Sequence, residues 1–136
     1  MTAMSPENVE TVKAAIDAYN REDWDAVFEA VAPGFEFDFS RGTGPGRGIY
    51  GLDQIRRYLA DFAANWESVR FEPNEFIEAG DLVVVPQTTR ARGRDGIELT
   101  AHPTLVWTVS EGKIERVRLY QERQDALEAV GLAERP

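Results

Sequence analysis

The stretch that most constrains this chain is 99–123. It reads LTAHPTLVWTV, then SEGK, then IERVRLYQER. Two alternating runs flank a short polar turn holding Gly112, the pattern of an antiparallel hairpin. Alternation puts successive side chains on opposite faces, so such a hairpin buries one face and needs a cover for it. The upstream chain is expected to cover that face.

Read from its start, the chain supplies helices first. Ser5-Pro6-Glu7 combines a hydroxyl cap, a proline at the first helical position and a carboxylate near the positive end of the dipole. Val9, Val12, Ile16 and Tyr19 follow at helical spacing. Asp23 is placed to cap a second short helix, with Trp24, Val27, Phe28 and Val31 on its apolar side and Pro33-Gly34 as its expected end. Phe35-Glu36-Phe37-Asp38-Phe39 alternates as a short strand. The glycine-rich stretch 40–51 reads as a loop. It lacks the GK[ST] ending of a phosphate-binding loop and the Rossmann spacing, and no cofactor is expected. Leu52, Ile55, Leu59, Phe62 and Trp66 predict a third helix over 51–65. Strand patterns then cover 69–78, interrupted at Pro73, and 82–92, before the hairpin. Residues 125–131 predict a terminal helix with a glycine stop.

This order predicts an α+β fold of one domain over 1–136. Three N-terminal helices pack on a strongly curved, mostly antiparallel sheet, forming a cone-shaped pocket, with a short C-terminal helix. Fifteen basic against 24 acidic residues give a net charge of -9, which repels phosphate backbones and anionic lipid. Nucleic acid and membrane are therefore not expected partners. No apolar run approaches the roughly 20 residues of a membrane span, and no basic-then-apolar leader opens the chain. The absence of cysteine removes disulfides, thiol nucleophiles and thiolate zinc sites, and suits the cytoplasm. A single histidine leaves no basis for a His-rich metal site, and no metal is expected.

Strand alternation also sorts the faces. Val83, Val85, Gln87, Thr89 and Ala91 are expected inside, because the other set carries Arg90 and Arg92. Leu99, Ala101, Pro103, Leu105, Trp107 and Val109, with Val117, Leu119 and Gln121, complete the inner face. Gln87, Thr89 and Gln121 are its polar exceptions: a structural network, or readers of a ligand. The expected ligand pocket comprises Tyr19, Phe37, Phe39, Tyr58, Phe62, Trp66, Val85, Gln87, Thr89, Leu105, Trp107, Leu119 and Gln121. Val84, Thr104, Val106 and Tyr120, with Arg90, Arg92, Arg116 and Arg118, form an outer face expected to make a homodimer.

Tyr19-Asn20-Arg21-Glu22-Asp23, Ala32-Pro33 before Phe35-Glu36-Phe37, and Gly46-Arg47-Gly48 before the third helix form a recognisable series. It continues with 76–81 (FIEAGD), Val106-Trp107-Thr108 before Gly112-Lys113-Ile114, and 126–132 (ALEAVGL). In this order the chain resembles the SnoaL-like branch of the nuclear transport factor 2-like, ketosteroid isomerase-like fold along nearly its whole length. The resemblance implies a cone-shaped pocket and usually a homodimer, among relatives that include isomerases, polyketide cyclases, hydrolases and proteins without known activity. The catalytic positions of the isomerases do not carry over. The base at the end of the first strand falls on Phe39, with Asp38 one residue earlier. The hairpin acid falls on Leu105 and the helix-one tyrosine on Ala15.

Three functions follow as expectations. The first is a module that binds a small hydrophobic molecule. The second is an isomerase, cyclase or hydrolase, for which Asp38, Tyr58 and His102 are the candidate catalytic residues. The third is a homodimeric association module. His102 is expected on the outer face, and Asp38 is expected to point outward.

Overall fold

The structure is a computed structural model, described here for residues 6–42 and 47–132, so Ser5 lies outside the described residues. Helix α1 spans Pro6–Asn20 and α2 spans Trp24–Glu29. The Asp23 carboxylate accepts a bond from the Ala26 backbone amide at 3.2 Å and caps α2. That helix stops at Ala30, ahead of Pro33-Gly34. Those two residues instead lie inside β1 (Val31–Asp38). Part of the glycine-rich stretch is also strand: β2 (Ile49–Gly51) pairs antiparallel with β1. Helix α3 follows over Leu52–Asn65, and the Gln54 side chain accepts a bond from the Gly51 amide at its start. Trp66, expected to close the helical stripe, is the first residue of β3 (Trp66–Pro73). Next come β4 (Ile77–Ala79), β5 (Leu82–Gly93), β6 (Glu98–Ala101), β7 (Thr104–Ser110), β8 (Lys113–Tyr120) and α4 (Arg123–Ala129).

The sheet runs β2-β1-β8-β7-β5-β3, with β4 and β6 also paired to β5. Among the described residues only the β1–β8 pairing is parallel. The hairpin expected over 99–123 is broken at His102-Pro103 into β6 and β7. The strand expected over 69–78 is broken into β3 and β4. Three prolines explain both breaks. Pro73 lies opposite Gln87, Pro86 lies opposite Thr104, and Pro103 separates β6 from β7. None has an amide to donate, so a ladder cannot run straight through them. Single bonds bridge the crease instead: the Asn74 amide to the Pro86 carbonyl at 2.8 Å, and the Gln87 amide to the Pro103 carbonyl at 3.0 Å. Strand β5 therefore lies between β4 and β7 before the crease, and between β3 and β6 after it. The β7–β8 turn has Glu111 at φ 52° and Gly112 at φ 77°, the paired positive values of a tight hairpin turn.

Two cores result. The larger joins Val12, Ala15 and Ile16 of α1 and Ile55 of α3 to Val83, Val85, Leu105, Val109, Ile114 and Val117. The smaller lies on the other face of the sheet, where Ala126 and Leu127 of α4 pack on Val84, Val106 and Tyr120. This corrects the expected outer surface. Val84 and Val106 are 0% exposed and Thr104 and Tyr120 are buried, because the chain's own last helix covers them.

Candidate functional site: an aromatic cone with a polar mouth

The helices and the inner face of the sheet bound a cavity of about 740 Å³. Strand register divides the sheet behind it into layers, in which Val83 and Val85 are sealed in the core and the other residues reach the cavity. The deep layer is Phe37–Val117–Trp107–Val83, one residue from each of β1, β8, β7 and β5. The next is Leu119–Leu105–Val85, with Phe39 two residues beyond Phe37. The polarity then changes. Gln87 is bonded through its backbone to Pro103, and Gln121 follows Leu119 by two residues. Thr89 lies beyond them, between Phe71 and Ala101. Exposure rises in the same direction: Val83 and Val85 are sealed, whereas Ala101, His102 and Gln121 are exposed. The apolar layers are therefore the floor of the cone and the glutamine layer is its mouth.

The opposite wall comes from the helices. Tyr19 of α1 stacks on Phe71 with ring centroids 4.2 Å apart. Asn20 holds that pair: its Nδ2 donates to the Phe71 carbonyl at 2.8 Å, and its Oδ1 accepts from the Phe71 amide at 2.9 Å. One side chain thus stands in for a strand neighbour and clips the end of α1 to β3. On α3, Tyr58 meets Tyr50 edge-on at 4.9 Å and stacks with Phe62 at 5.9 Å. Burial pushes the Tyr19 phenol well above its ordinary pKa, and repulsion from Tyr58 and Glu22 adds to the rise. Burial raises Tyr58 as well, with Tyr50 adding. Both remain protonated hydrogen-bonding groups at neutral pH, and no described residue bonds to either hydroxyl.

The structure gathers most of the sequence-derived pocket residues around this one cavity. Tyr19, Phe37, Phe39, Tyr58, Phe62, Gln87, Thr89, Leu105, Trp107, Leu119 and Gln121 all line it. Two do not. Val85 is sealed in the core behind the wall, and Trp66 stands off at the start of β3 with its ring 6.0 Å from Phe62. His102, expected on the outer face, borders the mouth. Its ring is exposed and lies against Thr88, the outward neighbour of Gln87 and Thr89, with Nδ1 3.4 Å from the Thr88 hydroxyl, so the side chain keeps the outer face expected for it. One of the two Gln121 Nε2 hydrogens is taken by the Arg41 carbonyl at 3.1 Å.

Asp38 lies in the outer cross-strand row with Arg118, Val106 and Val84. Its carboxylate accepts bonds from the Ser40 amide and hydroxyl and pairs with Arg41 at 3.4 Å. Burial works to raise its pKa. The Ser40 hydrogen bonds and Arg41 outweigh that and hold it below the ordinary carboxylate value. Such a group is an anion with its lone pairs engaged, facing away from the cone.

The inward sets read from the sequence contained no carboxylate, and the structure adds one. Glu78 pairs with Val83 and extends the deep row beyond the cavity, with Oε2 buried and partnerless among the described residues. It was missed because the register of β4 depends on where β3 breaks. Phe71 was missed as a wall residue for the same reason, although its alternation with Val69 is a usable signal. Ionisable side chains on the described lining are Tyr19 and Tyr58 within, and His102, Glu122 and Arg123 at the exposed rim. No group of three or more acidic or histidine side chains able to hold a metal ion occurs among the described residues.

The family model for the SnoaL-like domain matches residues 12–117. The chain belongs to the SnoaL-like family. This member's fold recurs widely in solved structures. TerC, co-crystallised with polyporic acid, is 25% identical at a TM-score of 0.75, over 91% of this chain and 97% of that one. A nuclear transport factor 2-like protein of unknown function from Burkholderia pseudomallei is 22% identical at a TM-score of 0.76, covering 93% and 98%. A putative SnoaL-like polyketide cyclase from Jannaschia is 19% identical at a TM-score of 0.72, covering 98% and 100%. The search of curated proteins finds no match. No helix among the described residues is long and apolar enough to cross a membrane.

Proposed function

We propose that this SnoaL-like domain binds a small apolar molecule with an aromatic body and a hydrogen-bonding oxygen, held in the cone. The carrying observation is the 740 Å³ cavity, walled by Phe37, Phe39, Tyr58, Phe62, Phe71 and Trp107. Aromatic walls with few convergent polar groups are the usual lining of a small-molecule site. TerC, which shares the fold at 25% identity, was co-crystallised with polyporic acid, and that supports an aromatic ligand here. The reading is of a binder rather than an acid–base catalyst. Its support is the outward, hydrogen-bonded Asp38 and a lining whose inner ionisable groups are two protonated tyrosines.

Self-association through the sheet face belongs to this proposal only for the half that α4 leaves uncovered. There Arg70, Arg90, Arg92 and Thr100 are exposed on β3, β5 and β6. Light scattering at micromolar concentration tests it, and a monomer mass rejects it. A cytoplasmic location is proposed on the cysteine-free, acidic composition.

Calorimetric titration with polyporic acid and, separately, with 2-naphthol tests the binding reading. One site per chain is expected for at least one of them. Heat no different from buffer for both, with the protein folded by circular dichroism, rejects it.

A further inference from the structure

Resting on that reading, we propose that the cone takes its ligand head-out: an apolar body fills the two deep layers, and a hydroxyl head meets Gln87 and Thr89 at the mouth. Gln87 is the group that demands it. Its side chain is 2% exposed on a cavity wall that is otherwise apolar below it. Nε2 donates to the Thr89 hydroxyl at 3.0 Å, and Oε1 is buried with no partner among the described residues. Turning the amide over does not cure this, because it only exchanges which end meets Thr89 and which is left unpaired. Buried amide groups without a partner are costly and uncommon in folded proteins. A ligand that supplies the missing partner gains what the empty wall forgoes.

The chemistry of the head follows from the same pair. A hydroxyl can donate to Oε1 or accept from Nε2, so it satisfies Gln87 in either orientation of the amide. A hydrocarbon satisfies neither. A carboxylate is acceptor-only, and it brings a charge to a layer whose own polar groups, Gln87 and Thr89, are neutral. Arg123, the guanidinium on the rim, is paired with Glu75 at 2.9 Å, and Glu122 stands on the same rim. Burying an unpaired charge beside these groups is unfavourable. The orientation follows from the layers. Four residues of strand separate Gln87 from the Val83–Trp107 layer, about 13 Å of apolar depth. The deep layers hold one polar side-chain atom, the Trp107 Nε1, which is buried without a partner as Gln87 Oε1 is, but it is a lone donor, whereas the mouth sets Gln87 beside the Thr89 hydroxyl.

The test is a matched set of probes on the full chain: 2-naphthol, 2-methylnaphthalene and 2-naphthoate, titrated against wild type and Gln87→Leu. In wild type, 2-naphthol is expected to bind about three- to tenfold tighter than 2-methylnaphthalene, the range of one neutral hydrogen bond. 2-Naphthoate is expected to be the weakest of the three. In Gln87→Leu the advantage of 2-naphthol over 2-methylnaphthalene should disappear, while 2-methylnaphthalene keeps its wild-type affinity within about twofold. Gln87→Met, closer to glutamine in shape, replaces the leucine variant if that one fails to fold. Equal binding of 2-naphthol and 2-methylnaphthalene to wild type overturns the hydroxyl-head proposal and leaves the apolar-ligand reading standing. So does tightest binding of 2-naphthoate, or a naphthol advantage that survives both Gln87 variants. Failure of all three probes to bind wild type overturns both.

Discussion

The two faces of the same sheet end differently, and the difference locates the site. On the outer face, Val84, Val106 and Tyr120 receive Ala126 and Leu127 from a seven-residue helix, and the fit closes. On the inner face, Val83, Leu105 and Val117 receive two longer helices and the short α2, and about 740 Å³ remains unfilled. Strand composition does not cause this, because both faces of β5 and β7 offer valines and leucines. Curvature does. The sheet curls around α1 and α3, so the concave side encloses more volume than straight helices fill, while on the convex side α4 covers the patch of Val84, Val106 and Tyr120 and leaves the rest of the face open. Dense packing is the rule in protein interiors, so a void of this size on one face only points to use rather than poor design.

The largest expected effect sharpens that contrast. Leu127→Ala removes a side chain packed on all sides and should cost about 3 kcal/mol of unfolding free energy. Leu119→Ala, on the cavity wall, should cost only about 1 kcal/mol, since part of its surroundings was never occupied. Urea unfolding of both variants measures the pair. Equal losses would mean that the cone is as tightly filled as the α4 patch.

A smaller effect concerns how the helical wall is held. Asn20→Ala removes both bonds to Phe71 and should cost about 1.5 kcal/mol. It should also loosen the Tyr19–Phe71 stack, so 2-naphthol affinity falls with stability. Loss of stability without loss of affinity would show that the stack is not part of the binding wall.

The smallest is electrostatic and belongs to the outer row. The Asp38 pKa is lowered in the folded state, so its contribution is present above the unfolded value of about 4 and is lost as pH falls through the lower folded value. Wild type should therefore lose stability in that acid window, and Asp38→Asn should flatten the loss by no more than about 1 kcal/mol, with ligand affinity at neutral pH unchanged. A pH series of thermal melts reads the first part, and one titration at neutral pH reads the second. A large affinity change in Asp38→Asn would return the carboxylate to the site.

Most of this architecture was legible in the residues. The alternation of 82–92 and 104–120 fixed which side chains share a face, and the structure agrees at Val83, Val85, Leu105, Trp107 and Val117. The helical stripes of α1 and α3 were equally plain, because a 3.6-residue period over a dozen residues has few competing explanations. The errors gather at the crease and the last helix. Pro73 was read as an interruption, but Pro86 and Pro103 carry their meaning only when three strands are laid side by side. Only that side-by-side view brings Glu78 into the deep row and splits the hairpin at His102-Pro103. Burial of the outer row under α4 depends on where a short helix docks, and nothing in 123–129 alone states that. The partnerless Gln87 Oε1 was out of reach of sequence altogether, since it depends on one 3.0 Å bond to Thr89.

The central proposal is that the cone is a ligand site entered from its polar mouth. A crystal structure of the complex with 6-bromo-2-naphthol tests this most directly, because anomalous scattering locates the bromine without reference to the rest of the density. The expected bromine peak lies in the deep layer beside Trp107 and Val117, with the hydroxyl oxygen at Gln87. A peak at the mouth beside Leu99 or His102, or outside the cone altogether, contradicts it.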